Sequence, residues 1–172
     1  MRLETDRLIV LSTPLCVVRR RLSDSDFALP VADLGPVRFP QSWPGDALVL
    51  FPMLNECLTA DPAYEEWGGT IIDRETRVAV GSIGCKGYVA EDGSIEIGYG
   101  INPEAWGNGV ATAAVDALIP WLLARPEVTL VWAECLTGNR ASGRVLEKSG
   151  FTQVGRRWCD EEGGELLRYE RR

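Results

Sequence analysis

Residues 94–123 read "SIEIGYGINPEAWGNGVATAAVDALIPWLL", and the period of the pattern changes along that stretch. Over 94–101 apolar Ile95, Ile97, Tyr99 and Ile101 alternate with Ser94, Glu96, Gly98 and Gly100, which predicts a half-buried strand. From Ala113 to Ala124 the apolar content predicts a helix. Between them lie a turn, Asn102-Pro103-Glu104, and a glycine loop, Trp106-Gly107-Asn108-Gly109. A strand that passes through a glycine loop into a helix commits the chain to mixing both element types in one core. Gly107 and Gly109 let successive N–H groups point into a common concavity. A helix opening near Gly109 or Val110 adds free N–H groups and the positive end of its dipole. The loop is then either an anion site that needs no basic side chain or a turn whose glycines serve the backbone alone.

The other segments set the order of elements. "RLIVLS" and "LCVVRRRL" read as β-rich runs separated by Thr13-Pro14. Ser23 with Asp26 gives a capping signal, so a short helix is expected through Phe27, Ala28 and Leu29. "GPVRFPQSWPG" (35–45) holds Pro36, Pro40 and Pro44 and reads as irregular. Asp46 is expected to cap a helix from Ala47 to Leu58, kinked or interrupted by Pro52. "YEEWGGTIID" and "RVAVGSIGCKG" predict two strands joined by a turn at Asp73–Thr76, and "EDG" (91–93) a second hairpin turn. "VTLVWAECL" (128–136) predicts a buried strand and "NRASGRVLEKSGF" a helix ended by Gly150. "FTQVGRRWC" and "ELLRYER" form a closing strand pair. The expected fold is α/β (α+β): one domain over 1–172, with a mixed, mostly antiparallel central sheet flanked by helices.

Composition narrows the function. The chain has 172 residues and a net charge of −7, which disfavours nucleic acid and anionic membranes and favours cationic partners. No window approaches the ~18 apolar residues of a membrane span, since even the helix at 113–124 carries Asp116 and Pro120. "MRLETDRLIV" has no apolar core of a secretory signal, so a cytoplasmic location is expected. The five cysteines are scattered and lack metal-knuckle spacing. They read as reduced, buried thiols. The absence of histidine removes the Ser-His-Asp and Cys-His arrangements and imidazole zinc sites. No metal is expected, and acid–base chemistry falls to carboxylate, Tyr, Lys, Cys, a terminus or water.

Two nucleotide-binding patterns do not fit the loop. A phosphate-binding GxxxxGK[ST] loop needs a lysine where Ala111-Thr112 stand, and a GxGxxG fingerprint needs a third glycine where Thr112 stands. A third pattern does fit. "SIEIGYGINPEAWGNGVATAAV" resembles the acetyl-CoA motif of the GNAT N-acetyltransferase superfamily, Arg/Gln-x-x-Gly-x-Gly/Ala after a strand and a proline turn. Trp106-Gly107-Asn108-Gly109-Val110-Ala111 stands at that motif, with Trp106 in place of the usual Arg or Gln. "NRASGRVLEKSGF" is similar to a second family segment and matches at Asn139, Ser142, Glu147, Lys148, Gly150 and Phe151. Leu146 stands where many members carry a tyrosine that protonates the leaving thiolate. The opening "LETDRLIV" looks like the branch that modifies ribosomal-protein N-termini, and the resemblance covers nearly the whole chain.

The resemblance implies acetyl transfer from acetyl-CoA to a primary amine, by direct attack in a ternary complex. It places the cosubstrate on Gly100, Ile101, Trp106, Gly107, Asn108, Gly109, Val110, Ala111, Thr112, Asn139 and Ser142. Because an ammonium has no lone pair, the acceptor must lose a proton, and Glu96 is the candidate base; it also reads as a solvated carboxylate or a ligand for a cationic substrate. As negative charge develops, the thioester oxygen needs a donor, which by analogy is a strand N–H near Ile101 or Gly100, where glycines allow a bulge or close ligand approach. Asn139 is a helix N-cap with an implied catalytic or pantetheine contact. Trp43 and Tyr99 are candidate acceptor-pocket residues, the first because loops carry specificity. The acceptor is a peptide or small-molecule amine, and the chain a monomer or homodimer. Two alternatives stand beside this: a non-catalytic acyl-CoA sensor on the same fold, and a structural domain in which the glycine loop is only a turn.

Overall fold

A computed structural model describes residues 1–31 and 33–172. The fold is mixed α/β, with a mostly antiparallel sheet and flanking helices. The described chain divides into two compact units, Met1–Gly84 with Tyr99–Ala114, and Cys85–Gly98 with Val115–Arg172. Strand β7 (Ser94–Ile101) and helix α3 (Val110–Leu123) each begin in one unit and end in the other.

In the first unit β1 (Arg2–Glu4), β2 (Leu8–Ser12), β5 (Gly68–Asp73) and β6 (Ala79–Cys85, all but its last residue) are neighbours in that order, all antiparallel. Helix α1 (Leu15–Ser23) occupies the segment whose valines predict a strand. Val17, Val18 and Arg21 are its buried residues, spaced for one helical face. Pro14 sits at its N-cap, where the lack of an N–H costs nothing. Helix α2 (Phe51–Ala60) follows a 3-10 turn over Gly45–Leu50. The expected interruption of the 47–58 helix is therefore present, with Pro52 in the first turn of α2. Asp46 does not cap it: Leu50 holds the N-cap position of α2, and Asp46 lies in the first turn of the 3-10 segment.

Two further expectations fail in this unit. Phe27–Val31 is a strand, β3, and it pairs with β4 (Gly35–Phe39) inside the segment expected to be irregular. Asp26 is not a helix cap. Its carboxylate binds Arg38 at 2.7 Å, and that guanidinium holds it below the usual carboxylate range. Pro30 faces Pro36 across the ladder, which a separate two-stranded sheet tolerates where a central strand would not. The rings of Phe27 and Phe39 stack at 4.9 Å, so cross-strand aromatic packing outweighs the propensity signals. With Val17, Val18, Val37, Leu58, Tyr64 and Ile72 they form this unit's core.

In the second unit the N-terminal part of β7, β8 (Leu130–Leu136), β10 (Gly164–Arg171) and β9 (Thr152–Cys159) follow one another. β7 and β8 are parallel; the other two pairings are antiparallel. Along β8 Val131, Ala133 and Cys135 are buried and their neighbours half-exposed, the period of a sheet covered on one side. Helix α3 buries Val115, Leu118, Ile119 and Leu122 here, each worth ~1.5–3 kcal/mol of apolar transfer. Helix α4 (Arg140–Lys148) starts and stops where the sequence places it. Gly150 follows at φ +79°, and its N–H donates to Glu147 O at 3.1 Å.

Candidate active site

The glycine loop has the backbone that an anion cradle requires. Gly107 and Gly109 adopt φ +75° and +76°, a region that costs an L-residue ~1–2 kcal/mol. Nothing lies within 4 Å of where a Cβ would stand at either position. Packing therefore does not explain the two glycines; backbone conformation does. The N–H of Ala113, bonded to Gly109 O at 3.0 Å, closes the first turn of α3, so the N–H groups of Val110, Ala111 and Thr112 have no partner inside the helix. The loop fits a diphosphate: it is open, exposed and presents N–H groups at the positive end of a 14-residue helix.

Trp106, which stands where the motif carries Arg or Gln, turns its indole back to the preceding strand. Its indole N–H donates to Ile101 O at 2.7 Å, tying the loop to the end of β7 while the ring stays 60% exposed. A cation comes from elsewhere. Arg7, in the turn between β1 and β2, donates from Nη1 to Asn108 O at 3.1 Å. Arg7 was not among the sequence candidates. The signal for it is weak, since 101 residues separate the partners and nothing local marks the pair.

The end of β7 is set by the same unit. The N–H of Asn102 donates to Val80 O at 2.9 Å, so alternation turns the backbone of Ile101 away from β6. The Trp106 bond to Ile101 O reports the same orientation. Of the two donors expected on this strand, Ile101 is the one facing away from β6. Gly100 is buried, and a Cβ there would stand 2.9 Å from Pro44 O and 3.0 Å from Ala47 N. Its glycine is required by close approach of the chain's own backbone.

Trp43 is a correction. It is fully buried, packs edge-on to Phe39 and Phe51, and donates from Nε1 to Gly81 O at 2.9 Å. The proline-rich loop folds into the core, so the ring supports the backbone beside Gly100 rather than lining an open acceptor surface. Tyr99 is half-buried. Trp43, Tyr99, Gly100, Ile101 and the loop 106–112 all belong to the first unit.

Glu96, Asn139 and Ser142 belong to the second. Glu96 lies where the parallel pairing of β7 and β8 ends, opposite Trp132. Its side chain is 18% exposed, and Lys86 Nζ donates to its Oε1 at 2.7 Å. The Lys86 N–H also donates to Glu96 O at 2.8 Å, which fixes the two residues opposite each other across the hairpin. Sequence reasoning missed Lys86, because the turn at 91–93 is centred on 92 and would set 86 against 98 rather than the observed 96. A Cβ at Gly98 would lie 3.0 Å from Lys86 Cε, so the missing side chain makes room for the lysine stem. Asn139 caps α4, its Oδ1 accepting from Ser142 N at 3.1 Å. The Ser142 hydroxyl is bonded to the Cys135 thiol; burial pushes that thiol up, and the hydroxyl partly offsets it. Leu146 is fully buried and carries no proton to give. Burial also pushes Cys85 up to about 12, which leaves it a neutral thiol near pH 7. Among the described residues, no group of His, Cys, Asp and Glu is placed to hold a metal ion.

Residues 32–152 match the model of the Acetyltransferase (GNAT) domain. The chain belongs to the GNAT acetyltransferase family. Among its relatives is the uncharacterized N-acetyltransferase YjdG of Bacillus subtilis (strain 168), 32% identical over 113 residues, which are 63% of this chain and 66% of YjdG. The chain thus spans just under two thirds of that relative. Solved structures share the fold of this GNAT chain. A GNAT-family acetyltransferase from Bacillus anthracis superposes with a TM-score of 0.71 at 18% identity, covering 99% of this chain and 98% of that one. The ribosomal L7/L12 α-N-protein acetyltransferase RimL, solved in complex with coenzyme A, gives a TM-score of 0.68 at 13% identity, with coverage of 99% and 97%.

Proposed function

We propose that this GNAT domain transfers an acetyl group from acetyl-CoA to a primary amine by direct attack in a ternary complex. The observation that carries the reading is the loop 106–112, whose two left-handed glycines are unexplained by packing and stand at the mouth of α3. In this reading the N–H groups from Gly107 to Thr112 hold the pyrophosphate of acetyl-CoA, and Arg7 adds positive charge at Asn108. The Ile101 N–H faces the thioester oxygen, where a donor stabilises developing charge. Asn139 and Ser142 contact the pantetheine arm. Glu96 accepts the proton that the acceptor ammonium must lose. Tyr99 contributes to the acceptor surface.

The acceptor class is a protein N-terminus or a small-molecule amine. The net charge of −7 draws cations of either kind. A second reading, a non-catalytic acyl-CoA-binding module, draws on Leu146 at the usual tyrosine position and on Glu96 being engaged by Lys86. One experiment separates them: acetyl-CoA titration followed by thiol release across a panel of primary amines and peptides with free N-termini. Amine-dependent release supports the transferase. Tight binding without release on any amine supports the module, and no binding removes both.

A further inference from the structure

Two of the chain's 18 basic residues are lysines, Lys86 and Lys148; the rest are arginines. Arginine supplies the cation at Glu4, Asp24, Asp26, Glu134 and Glu170. At Glu96 the cation is a lysine. Arginine stays protonated under all ordinary conditions, whereas a lysine can give up a proton and become a nucleophilic amine. The pair is built for contact rather than incidental. The Lys86 backbone is bonded to Glu96, Gly98 leaves space for its stem, and Nζ stands 2.7 Å from Oε1. On the neighbouring strands Glu134 is held by Arg157, and Arg168 lies over the Trp132 ring while binding Glu170. Lys86 has Glu96 as its ion-pair partner.

We propose that Lys86 is a self-acetylation site of this enzyme. The inference rests on the acetyltransferase reading above, and on Glu96 as its base. The Lys86 ammonium passes one proton to the Glu96 carboxylate along their hydrogen bond, exposing the Nζ lone pair. Nζ bonds to the thioester carbonyl carbon of acetyl-CoA, and the C–S bond breaks. The proton held by Glu96 passes on to the departing thiolate, which restores the carboxylate, and the second proton lost from nitrogen leaves to solvent. The products are ε-acetyl-Lys86 and free coenzyme A. The acetylated side chain is neutral, so its ion pair with Glu96 is gone and the carboxylate is available to the ammonium of an external acceptor.

The test is to incubate the purified full chain with acetyl-CoA and no acceptor, then map acetylated peptides by mass spectrometry over time. The expected result is one acetyl group at Lys86, at a rate independent of enzyme concentration. The label is absent in K86R, retained at Lys86 in K148R, and slowed about a hundredfold in E96Q, the scale of general-base removal. Equal labelling of Lys86 and Lys148 would show adventitious chemical acetylation only and overturn the proposal. So would labelling of Lys86 at the same rate in the urea-unfolded chain, or no label in an enzyme that acetylates external amines. If the chain neither labels itself, nor acetylates any amine, nor binds acetyl-CoA, the acetyltransferase reading falls and takes this inference with it.

Discussion

Replacing Gly109 with alanine separates a cradle from a turn. At φ +76° an alanine costs ~1–2 kcal/mol. No neighbour lies within 4 Å of the new methyl group, so no clash adds to that figure. If the loop keeps its shape, the folded state loses ~1–2 kcal/mol and acetyl-CoA affinity holds. If the loop relaxes to negative φ, most of the strain is relieved, but one or two N–H groups turn away from the anion. Hydrogen bonds to a charged group contribute ~1.5–3 kcal/mol each, so losing one weakens binding about tenfold to a hundredfold. Relaxation is the expected outcome, because the loop is exposed and its glycines are unpacked. The assay is calorimetric titration with acetyl-CoA beside urea unfolding of the same variant. Weakened binding with stability changed by less than ~1 kcal/mol fits the cradle. Unchanged affinity with a stability loss of the full strain cost would show that the glycines serve a turn and nothing more.

Further perturbations reach other parts of the account. Arg7→Ala removes a cation beside the loop and is expected to raise KM for acetyl-CoA about threefold to tenfold, with less effect at high salt; an unchanged KM at low salt assigns Arg7 to the loop's structure alone. Glu96→Gln is expected to lower kcat about a hundredfold and to alter its pH profile. Normal turnover with the same profile would exclude Glu96 as base. Gly100→Ala drives a methyl group to 2.9 Å from Pro44 O and is expected to destabilise the fold by ~1–3 kcal/mol in urea melts; a neutral result would mean that the Pro44–Ala47 backbone yields. Cys85 is protonated in the fold up to about 12. A raised thiol pKa adds stability that is complete below the unfolded value and is lost as pH climbs towards the folded one. Cys85→Ala is therefore expected to remove part of the alkaline destabilisation above about pH 9, and an unaltered alkaline limb would contradict the burial assignment.

The parts of the fold legible in the sequence are those where local pattern and tertiary environment agree. β7 falls on the alternating stretch 94–101, and α4 on a stretch with an asparagine cap and a glycine stop. The N-terminal third reads poorly because long-range contacts decide it. Arg21 is buried, donating to the carbonyls of Asp24, Ser25 and Gln41, which no propensity scale anticipates for an arginine beside two valines. Asp26 serves a hairpin rather than a helix, because Arg38 arrives from β4. At the site, backbone features were legible where glycines mark them. What the side chains do there was less so. Trp106 folds back on Ile101, Trp43 sinks into the core, and Lys86 takes up Glu96, each through a partner that the motif does not specify.

The central claim is that the backbone from Gly107 to Thr112 carries the pyrophosphate of acetyl-CoA. Amide-resolved nuclear magnetic resonance during an acetyl-CoA titration tests it most directly. The account predicts saturable binding, with the largest shifts at the N–H groups of Gly107, Gly109, Val110, Ala111 and Thr112. Saturable binding that leaves those amides unmoved, or no binding at all, would contradict it.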